Sequence, residues 1–333
     1  AHWNLLASII VSGISGSSVA DTAGVSGMFS PERVRNGYSN NLTFAVTAIS
    51  SSIGIIIPPS IPMVVIAGIC GISTGKLFLG GIIPGVLCVL AQLIVSYFMA
   101  KKEGVPREPG HFTIGPVLHG LWESWPALLM PIIIVGTITM GIVSPTEAGV
   151  IAVVYGLFAG GIIYRELKWE DIKFAFAETV RTSGRIFIVI GAAKLYTVIL
   201  TTAGFDKWVA KTMLGFSTNP TVILIVILLI FFIVTMFMES IATLTLFMPI
   251  RYPVALGVGI NPIVLSVLIT VVIGVGLVTP PVGMCIYVAC DLMDVAVGEV
   301  FPTLVPFIAA TFVCIALMVA FPQLILLPTY LMA

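Results

Sequence analysis

Several stretches of this chain run on without one acidic or basic residue for longer than a bilayer is thick, among them Asn36–Gly75, Leu77–Ala100, Ser124–Thr146, Tyr252–Cys290 and Val300–Ala333. Roughly 20 apolar residues cross the hydrocarbon core as a helix. In lipid the backbone must satisfy its own polar groups, which leaves helices or a closed barrel. Runs of this length carry no two-residue alternation, so the fold class is all-α integral membrane. Composition agrees, with 59% hydrophobic and 9% charged residues, against about 45–50% and about 25% in soluble domains.

Charge excludes some partners. Lysine plus arginine balance aspartate plus glutamate at 15 each, so nothing points to nucleic acid. The cysteines Cys70, Cys88, Cys285, Cys290 and Cys314 all lie in apolar stretches without Cys-x-x-Cys spacing. They read as buried thiols rather than a disulfide framework or metal site.

Apolar runs and polar breaks divide the chain into three regions. Residues 1–100 form a first repeat, with a hairpin over 4–35, a broken helix over 40–71 and a span over 77–100. Residues 101–217 hold a polar linker and further spans, Trp122–Gly141, Ala148–Tyr164 and Ile186–Thr202. Ser144-Pro145-Thr146-Glu147 is a capping box with proline at the first helical position, which explains Glu147 as a helix start. Trp169–Arg185 is charged and amphipathic and is expected to lie at the membrane surface. Residues 218–333 form a second repeat, with a hairpin over 218–256, a broken helix over 261–290 and a last span over 301–327.

The duplication rests on one register. Ser17-Ser18-Val19-Ala20 aligns with Glu239-Ser240-Ile241-Ala242 at an offset of 222 residues. The same offset aligns Gly54 with Gly276 and Pro58-Pro59 with Pro280-Pro281. Each half therefore reads as a hairpin with a small polar tip, followed by a helix broken at a proline pair. Proline removes a backbone donor and clashes with the preceding turn. Irregular backbone at membrane depth survives only against protein or a water-lined cavity. Paired breaks in corresponding halves point to the binding site of a transporter.

Five crossings separate the two hairpins, so the repeats are expected to be inverted. Arg33, Arg35, Lys101, Lys102, Arg107, Arg165, Lys168 and Lys173 fall on the face of the first hairpin, and only Lys76, Lys207, Lys211 and Arg251 on the other. By the positive-inside rule the first hairpin enters from the cytoplasm and the second from outside. About one hundred residues of spans precede the second hairpin and almost nothing precedes the first. Further scaffold helices upstream, in a longer protein, are therefore expected.

The chemistry-bearing residues cluster at the tips and breaks. The first half offers Ser15, Gly16, Ser17, Ser18 and Asp21, then Ser50, Ser51, Ser52, Gly54 and Ser60 beside Pro58 and Pro59. The second offers Glu239, Ser240, Thr243 and Thr245, then Gly274, Gly276 and Thr279 beside Pro280 and Pro281. Hydroxyls and unwound carbonyls suit sodium, and half-helix N-termini suit an anion. The plainer reading of a Ser/Gly cluster is close helix packing; the shared register favours a site. Asp21 and Glu239 are carboxylates at membrane depth, costly unless they function or are neutralised. Lys194 stays open between substrate contact, ion pair and snorkelling side chain.

These motifs carry a resemblance. Ser15–Asp21 (SGSSVAD), Ser50–Met63 (SSSIGIIIPPSIPM), Ser144–Gly149 (SPTEAG) and Gly276–Met284 (GLVTPPVGM) resemble, in order, the large membrane subunit of tripartite ATP-independent periplasmic (TRAP) transporters. The resemblance implies an inverted-repeat elevator with two re-entrant hairpins, importing an organic acid anion with sodium. It implies as partners a periplasmic substrate-binding protein and a small four-helix membrane subunit in a prokaryotic inner membrane, with no cofactor beyond the coupling ion. Sodium would lie between each tip and its broken helix: Ser15–Ser18 with Ser50–Pro59, and Glu239–Thr243 with Gly276–Pro281. Family members are longer at the N-terminus.

Three alternatives remain beside it. A sodium-coupled carboxylate transporter that needs no binding protein would share the repeats. A passive channel would share the membrane spans. Gly13-Ile14-Ser15-Gly16 also matches the Gly-x-Ser-Gly of intramembrane serine proteases, which need a membrane-buried histidine as base. The histidines are His2, His111 and His119, and none lies within a later apolar helix.

Overall fold

The computed structural model describes residues 15–24, 37–105, 114–293 and 295–332, and within them every regular element is helical. The chain forms two compact units, Ala1–Pro106 with Ala193–Ala333, and Arg107–Ala192. Much of the hairpin read over 4–35 lies outside the described residues; its tip, 15–24, is described.

The larger unit begins with that tip and continues with α1 (Asn40–Ser51), a 3-10 turn (Ser52–Ile55), α2 (Ile61–Cys70) and α3 (Thr74–Lys102). Proline pair Pro58-Pro59 falls between the turn and α2, so the helix breaks where the sequence places it. The smaller unit holds α4 (Ile114–Thr139), α5 (Pro145–Phe158) and most of α6 (Trp169–Thr202). Then come α7 (Phe205–Phe216), α8 (Pro220–Thr235), α9 (Ser240–Gly257), α10 (Pro262–Gly276), α11 (Met284–Met293) and α12 (Val297–Ala320). Five described helical stretches are long and apolar enough to cross a membrane: Thr74–Lys102, Trp122–Thr139, Pro145–Ile163, Trp169–Thr202 and Val297–Ala320.

The repeat register extends to helix starts. Helix α1 begins at Asn40 and α10 at Pro262, which is the same 222-residue offset. Capping follows suit: the side chains of Ser39 and Asn261 each accept a backbone N–H of the first turn. Helices α2 and α11, and then α3 and α12, begin in step to within one residue. The peptides Pro58-Pro59 and Pro280-Pro281 are both cis.

Helix α10 is the core of the larger unit. Every residue from Val264 to Gly276 is buried. Helices α2, α3, α8, α9 and α12 and the 3-10 turn all pack on it. An amphipathic face is unnecessary for a helix enclosed all round, and the run of Val, Ile and Leu reflects that. A Cβ on Gly274 would lie 3.0 Å from the Ser52 carbonyl oxygen, so α10 crosses the first break in backbone-to-backbone contact.

Directions within this unit follow from contacts near the ends. The Ser39 hydroxyl donates to the Glu103 carboxylate at 2.8 Å, so α3 ends where α1 begins. The Asn41 amide donates to the Glu299 carbonyl at 3.4 Å, so α12 begins where α1 begins. Helices α3 and α12 occupy equivalent places in the two halves, yet they run in opposite directions. Their flanks touch where the Cys314 thiol lies 3.7 Å from the Leu87 carbonyl.

In the smaller unit, α4 and α5 pair through the Tyr155 hydroxyl, which donates to the Pro126 carbonyl at 2.7 Å. The capping box forms as read: Ser144 N–H donates to Glu147 at 2.7 Å, and Glu147 N–H to the Ser144 hydroxyl at 3.3 Å. One boundary differs from the reading. Trp169–Arg185 is not a separate surface helix; it is the first half of α6, continuous over 34 residues. That is a rod of about 51 Å at 1.5 Å per residue. The charged-to-apolar switch contains no proline, and Gly184 alone does not stop a helix. The last span is also shifted, ending at Ala320 before the turn at Phe321-Pro322.

Helix α3 passes the first break through small residues. A Cβ on Gly81 would sit 2.7 Å from the Ile56 carbonyl oxygen, whereas one on Gly68 would meet nothing within 4 Å. Overpacking of this kind costs about 1–3 kcal/mol. Gly81→Ala is therefore expected to lower the thermal unfolding midpoint in detergent by several degrees, while Gly68→Ala leaves it near wild type. Equal midpoints for the two variants would show that α3 does not press on the break.

Candidate functional site

Backbone groups released at the breaks need partners, and following them leads to the site. At the first break the Ser60 hydroxyl donates to the Ile55 carbonyl at 2.5 Å and accepts the Met63 N–H at 3.3 Å. Ile61 N–H donates to the Gly16 carbonyl at 3.4 Å. A Cβ on Gly16 would lie 2.6 Å from the Pro59 oxygen, and Gly16 sits at φ +61°, so glycine is required twice over. The first tip is thus bound to the first break. Thr22 reinforces this, its hydroxyl reaching the Ser51 hydroxyl at 2.6 Å.

The second tip and break are joined in the same manner. Val282 and Gly283 N–H groups donate to the Met236 carbonyl at 3.1 and 3.2 Å. A Cβ on Gly276 would lie 2.7 Å from Thr235 Cβ. Cys285 N–H donates across the break to the Leu277 carbonyl at 3.1 Å. Its thiol, fully buried, meets the Thr22 and Ser51 hydroxyls, so α11 of the second half touches the tip and break of the first.

The carboxylates sit differently. Asp21 is completely buried; one oxygen accepts the Ser15 hydroxyl, while the other, Oδ2, has no hydrogen-bond partner among the described residues. Glu239 is the N-cap of α9. Its Oε2 accepts the Ile241 and Ala242 N–H groups at 2.8 and 3.3 Å, and its Oε1 accepts the Ser240 hydroxyl. A cap of this kind stabilises a helix by about 1 kcal/mol. Two further hydroxyls, Ser18 Oγ and Thr243 Oγ1, are buried without a partner among the described residues.

The remaining sequence-predicted residues divide by what their side chains do. Ser50, Ser51 and Ser52 donate back to the carbonyls of Thr47, Ala48 and Ile49, and Thr279 donates to Val275. Their oxygens retain acceptor capacity. Gly54 is buried in the 3-10 turn, Pro58 is buried, and Pro281 is exposed. Thr245 donates to the Ile241 carbonyl at 2.6 Å. Lys194 is exposed on α6.

Both tips and both breaks border one cleft. Gly16–Val19 come from the first tip and Glu239–Ile241 from the second. Ile55, Ile61 and Pro62 flank the first break, and Leu277 opens the second. The N-terminus of α2 does not present open amides to this cleft. In α2 the Ile61, Met63 and Val64 N–H groups are bound to Gly16 and Ser60, and Pro62 has none. Sequence reading missed Thr22, Cys285 and the Met236 carbonyl. Thr22 was accessible in principle, lying one helical turn beyond Ser18; Cys285 and Met236 act through spatial position alone.

For the protease alternative, Gly13 and Ile14 lie outside the described residues. The Ser15 hydroxyl is engaged by Asp21, and His119 pairs with Glu123 at 3.2 Å on exposed surface.

Fold and site together define a multi-pass α-helical membrane protein with duplicated broken helices facing duplicated polar tips. The chain belongs to the DctM component family of tripartite ATP-independent periplasmic transporters, whose model matches residues 1–324. It is 34% identical over 296 residues to the isethionate TRAP transporter permease of Oleidesulfovibrio alaskensis, covering 89% of this chain and 47% of that one. It is 34% identical over 327 residues to the sialic acid TRAP transporter large permease of Vibrio cholerae, covering 98% and 76%. The C4-dicarboxylate large permease of Pseudomonas aeruginosa is 30% identical over 328 residues, covering 98% and 77%. The chain thus spans about half the length of the first relative and about three quarters of the other two.

The Thr22–Ser51 contact tests the packing of tip on break. A neutral buried hydrogen bond contributes about 1 kcal/mol, and an orphaned partner costs somewhat more. Thr22→Val is expected to lower stability by about 1–2 kcal/mol in denaturant titration, and Thr22→Ser to restore most of it. Equal stability of the valine and wild-type proteins would remove this contact from the account.

Proposed function

We propose that this chain forms the transport core of a sodium-coupled permease that imports an organic acid anion. The observation that carries the reading is the buried Asp21 carboxylate, with one oxygen unpartnered among the described residues and no basic side chain paired to it there. An uncompensated carboxylate in such surroundings costs several kcal/mol. A cation bound by neutral oxygens around it removes that cost. Asp21 Oδ2 and Ser18 Oγ supply candidate ligands at the first tip, and Thr243 Oγ1 at the second. Sodium is a hard cation suited to such a set. Among the described residues no three His, Cys, Asp or Glu side chains gather, so nothing there resembles a soft-metal cage.

The opposite directions of α3 and α12 support inverted repeats, the arrangement in which a central site opens alternately to each side. Re-entrant hairpins and elevator motion belong to the same proposal. So does the orientation, with the first hairpin entering from the cytoplasm. Related permeases are named for isethionate, sialic acid and C4-dicarboxylates, all organic acids. A periplasmic binding protein and a small membrane subunit are the proposed partners, in the bacterial inner membrane. A carboxylate transporter that needs no binding protein remains the second reading, since it would share the repeats and sodium sites.

Uptake into proteoliposomes containing the full-length permease and its small subunit tests this. An inward sodium gradient and the cognate binding protein are expected to drive saturable uptake, with potassium unable to substitute. Asp21→Asn is expected to reduce uptake at least about tenfold, because the cation loses its one charged ligand. Non-saturable flux indifferent to sodium would instead indicate a channel, and full uptake without the binding protein would favour the second reading.

A further inference from the structure

Counting through the repeat exposes one joint that the two halves build differently. At the first tip and break a hydroxyl, a second hydroxyl and a thiol meet, from Thr22, Ser51 and Cys285. At the 222-residue offset the same three positions are Leu244, Ile273 and Met63, all apolar and all fully buried. Cys285 and Met63 are each the fourth residue after a proline pair. Met63 lies against its own half: a Cβ on Gly81 of α3 would sit 2.7 Å from its Cε. Cys285 reaches into the other half instead.

That reach places Cys285 at a junction. Its backbone N–H donates to the Leu277 carbonyl at 3.1 Å, across the second break. Its buried thiol touches Thr22 of the first tip and Ser51 at the end of α1. It also lies within electrostatic reach of both tip carboxylates, Asp21 and Glu239. A threonine has one hydroxyl proton, and Thr22 has two acceptors for it, the Ser18 carbonyl at 2.8 Å and the Ser51 hydroxyl at 2.6 Å. The Ser51 proton goes to the Ala48 carbonyl at 2.6 Å. How Thr22 turns is therefore settled by the third group on the pair, the Cys285 thiol, a weak donor and weak acceptor. Thr22 directly follows Asp21 in the chain, so its turn bears on the placing of that carboxylate.

We propose that Cys285 is a positioning residue for the cation site at the first tip, acting through Thr22 and Ser51 and tying that site to the second break. This rests on the sodium reading of Asp21. The support is one-sided: the second half lends the first tip a polar side chain, and the first half returns the apolar Met63. A cation that binds only the closed joint favours that geometry, and the closed joint is the one that covers the Cys285 thiol.

Sodium-driven uptake by the full-length permease, with its small subunit and binding protein in proteoliposomes, tests this. Cys285→Ala is expected to raise the sodium concentration for half-maximal uptake at least about fivefold, the equivalent of one buried polar contact. Cys285→Ser keeps a donor and an acceptor and is expected to stay within about twofold of wild type. Half-saturation by the transported acid, measured at saturating sodium, is expected to be unchanged in both, which a merely structural role would not spare. In the unaltered protein, methyl methanethiosulfonate labels an accessible thiol as its methyl disulfide with release of methanesulfinate. Replacing potassium by sodium is expected to slow labelling of Cys285 at least about threefold, measured against the half-buried Cys70. Wild-type sodium dependence in Cys285→Ala overturns the proposal. So does a serine variant no better than alanine, or Cys285 labelling indifferent to sodium. Wild-type uptake that ignores sodium overturns the sodium reading itself, and this proposal with it.

Discussion

Everything in the larger unit depends on how the backbone groups freed at two helix breaks are answered away from water. In lipid an unpaired amide or carbonyl costs several kcal/mol, and a proline pair releases more than one at a time. The first break is closed by Ser60, Gly16 and Ile61, the second by Met236, Val282, Gly283 and Cys285. Each closure takes atoms from the preceding polar tip. Tip and break therefore cannot separate without exposing unpaired backbone, which makes each pair one structural piece. The glycines at 16 and 276 are consequences of the same demand, since close backbone approach leaves no room for a Cβ.

The two halves share this skeleton but diverge in the side chains laid on it. Helix starts and proline pairs keep step along the repeat to within one residue, while position 17 carries serine and position 239 glutamate. Duplication supplies two half-helices aimed at one cleft. Divergence gives the two tips different charge. In the second half the Glu239 carboxylate caps α9, and in the first the shorter, uncharged Ser17 stands at that place.

Much of this was legible from the residues. The uncharged runs required membrane helices, the shared register required a repeat, and the prolines located both breaks to within a residue or two. What the sequence hid has physical causes. Charge thins out after Arg185, which suggests a boundary there, yet α6 runs through it because hydrophobicity decides depth, not helix continuity. The N-terminus of α2 reads as suited to an anion, whereas its amides are closed by the neighbouring Ser60 and by Gly16, which is distant in sequence. Cys285 is the buried thiol the sequence suggests, but its neighbours Thr22 and Ser51 lie far away along the chain and could not be read from it. Local chemistry is written locally; the partner of a freed carbonyl is not.

Two acids, the buried Asp21 and the half-buried Glu239, stand at the tips of this apolar unit and are answered differently. Glu239 is answered by the protein itself, through two amides and a hydroxyl, and needs no ion. Asp21 is answered in part, by Ser15 alone among the described residues. The described site is thus short of one positive charge, at a place bonded to the first break through Thr22 and Gly16. A ligand shifts a conformational equilibrium only by the difference in its affinity for the two states. Placing the unanswered charge where tip meets break ties the affinity for a cation to the geometry of that junction. Under the proposed sodium coupling no long pathway is required, because the group that would bind the ion and the joint that holds tip to break are the same.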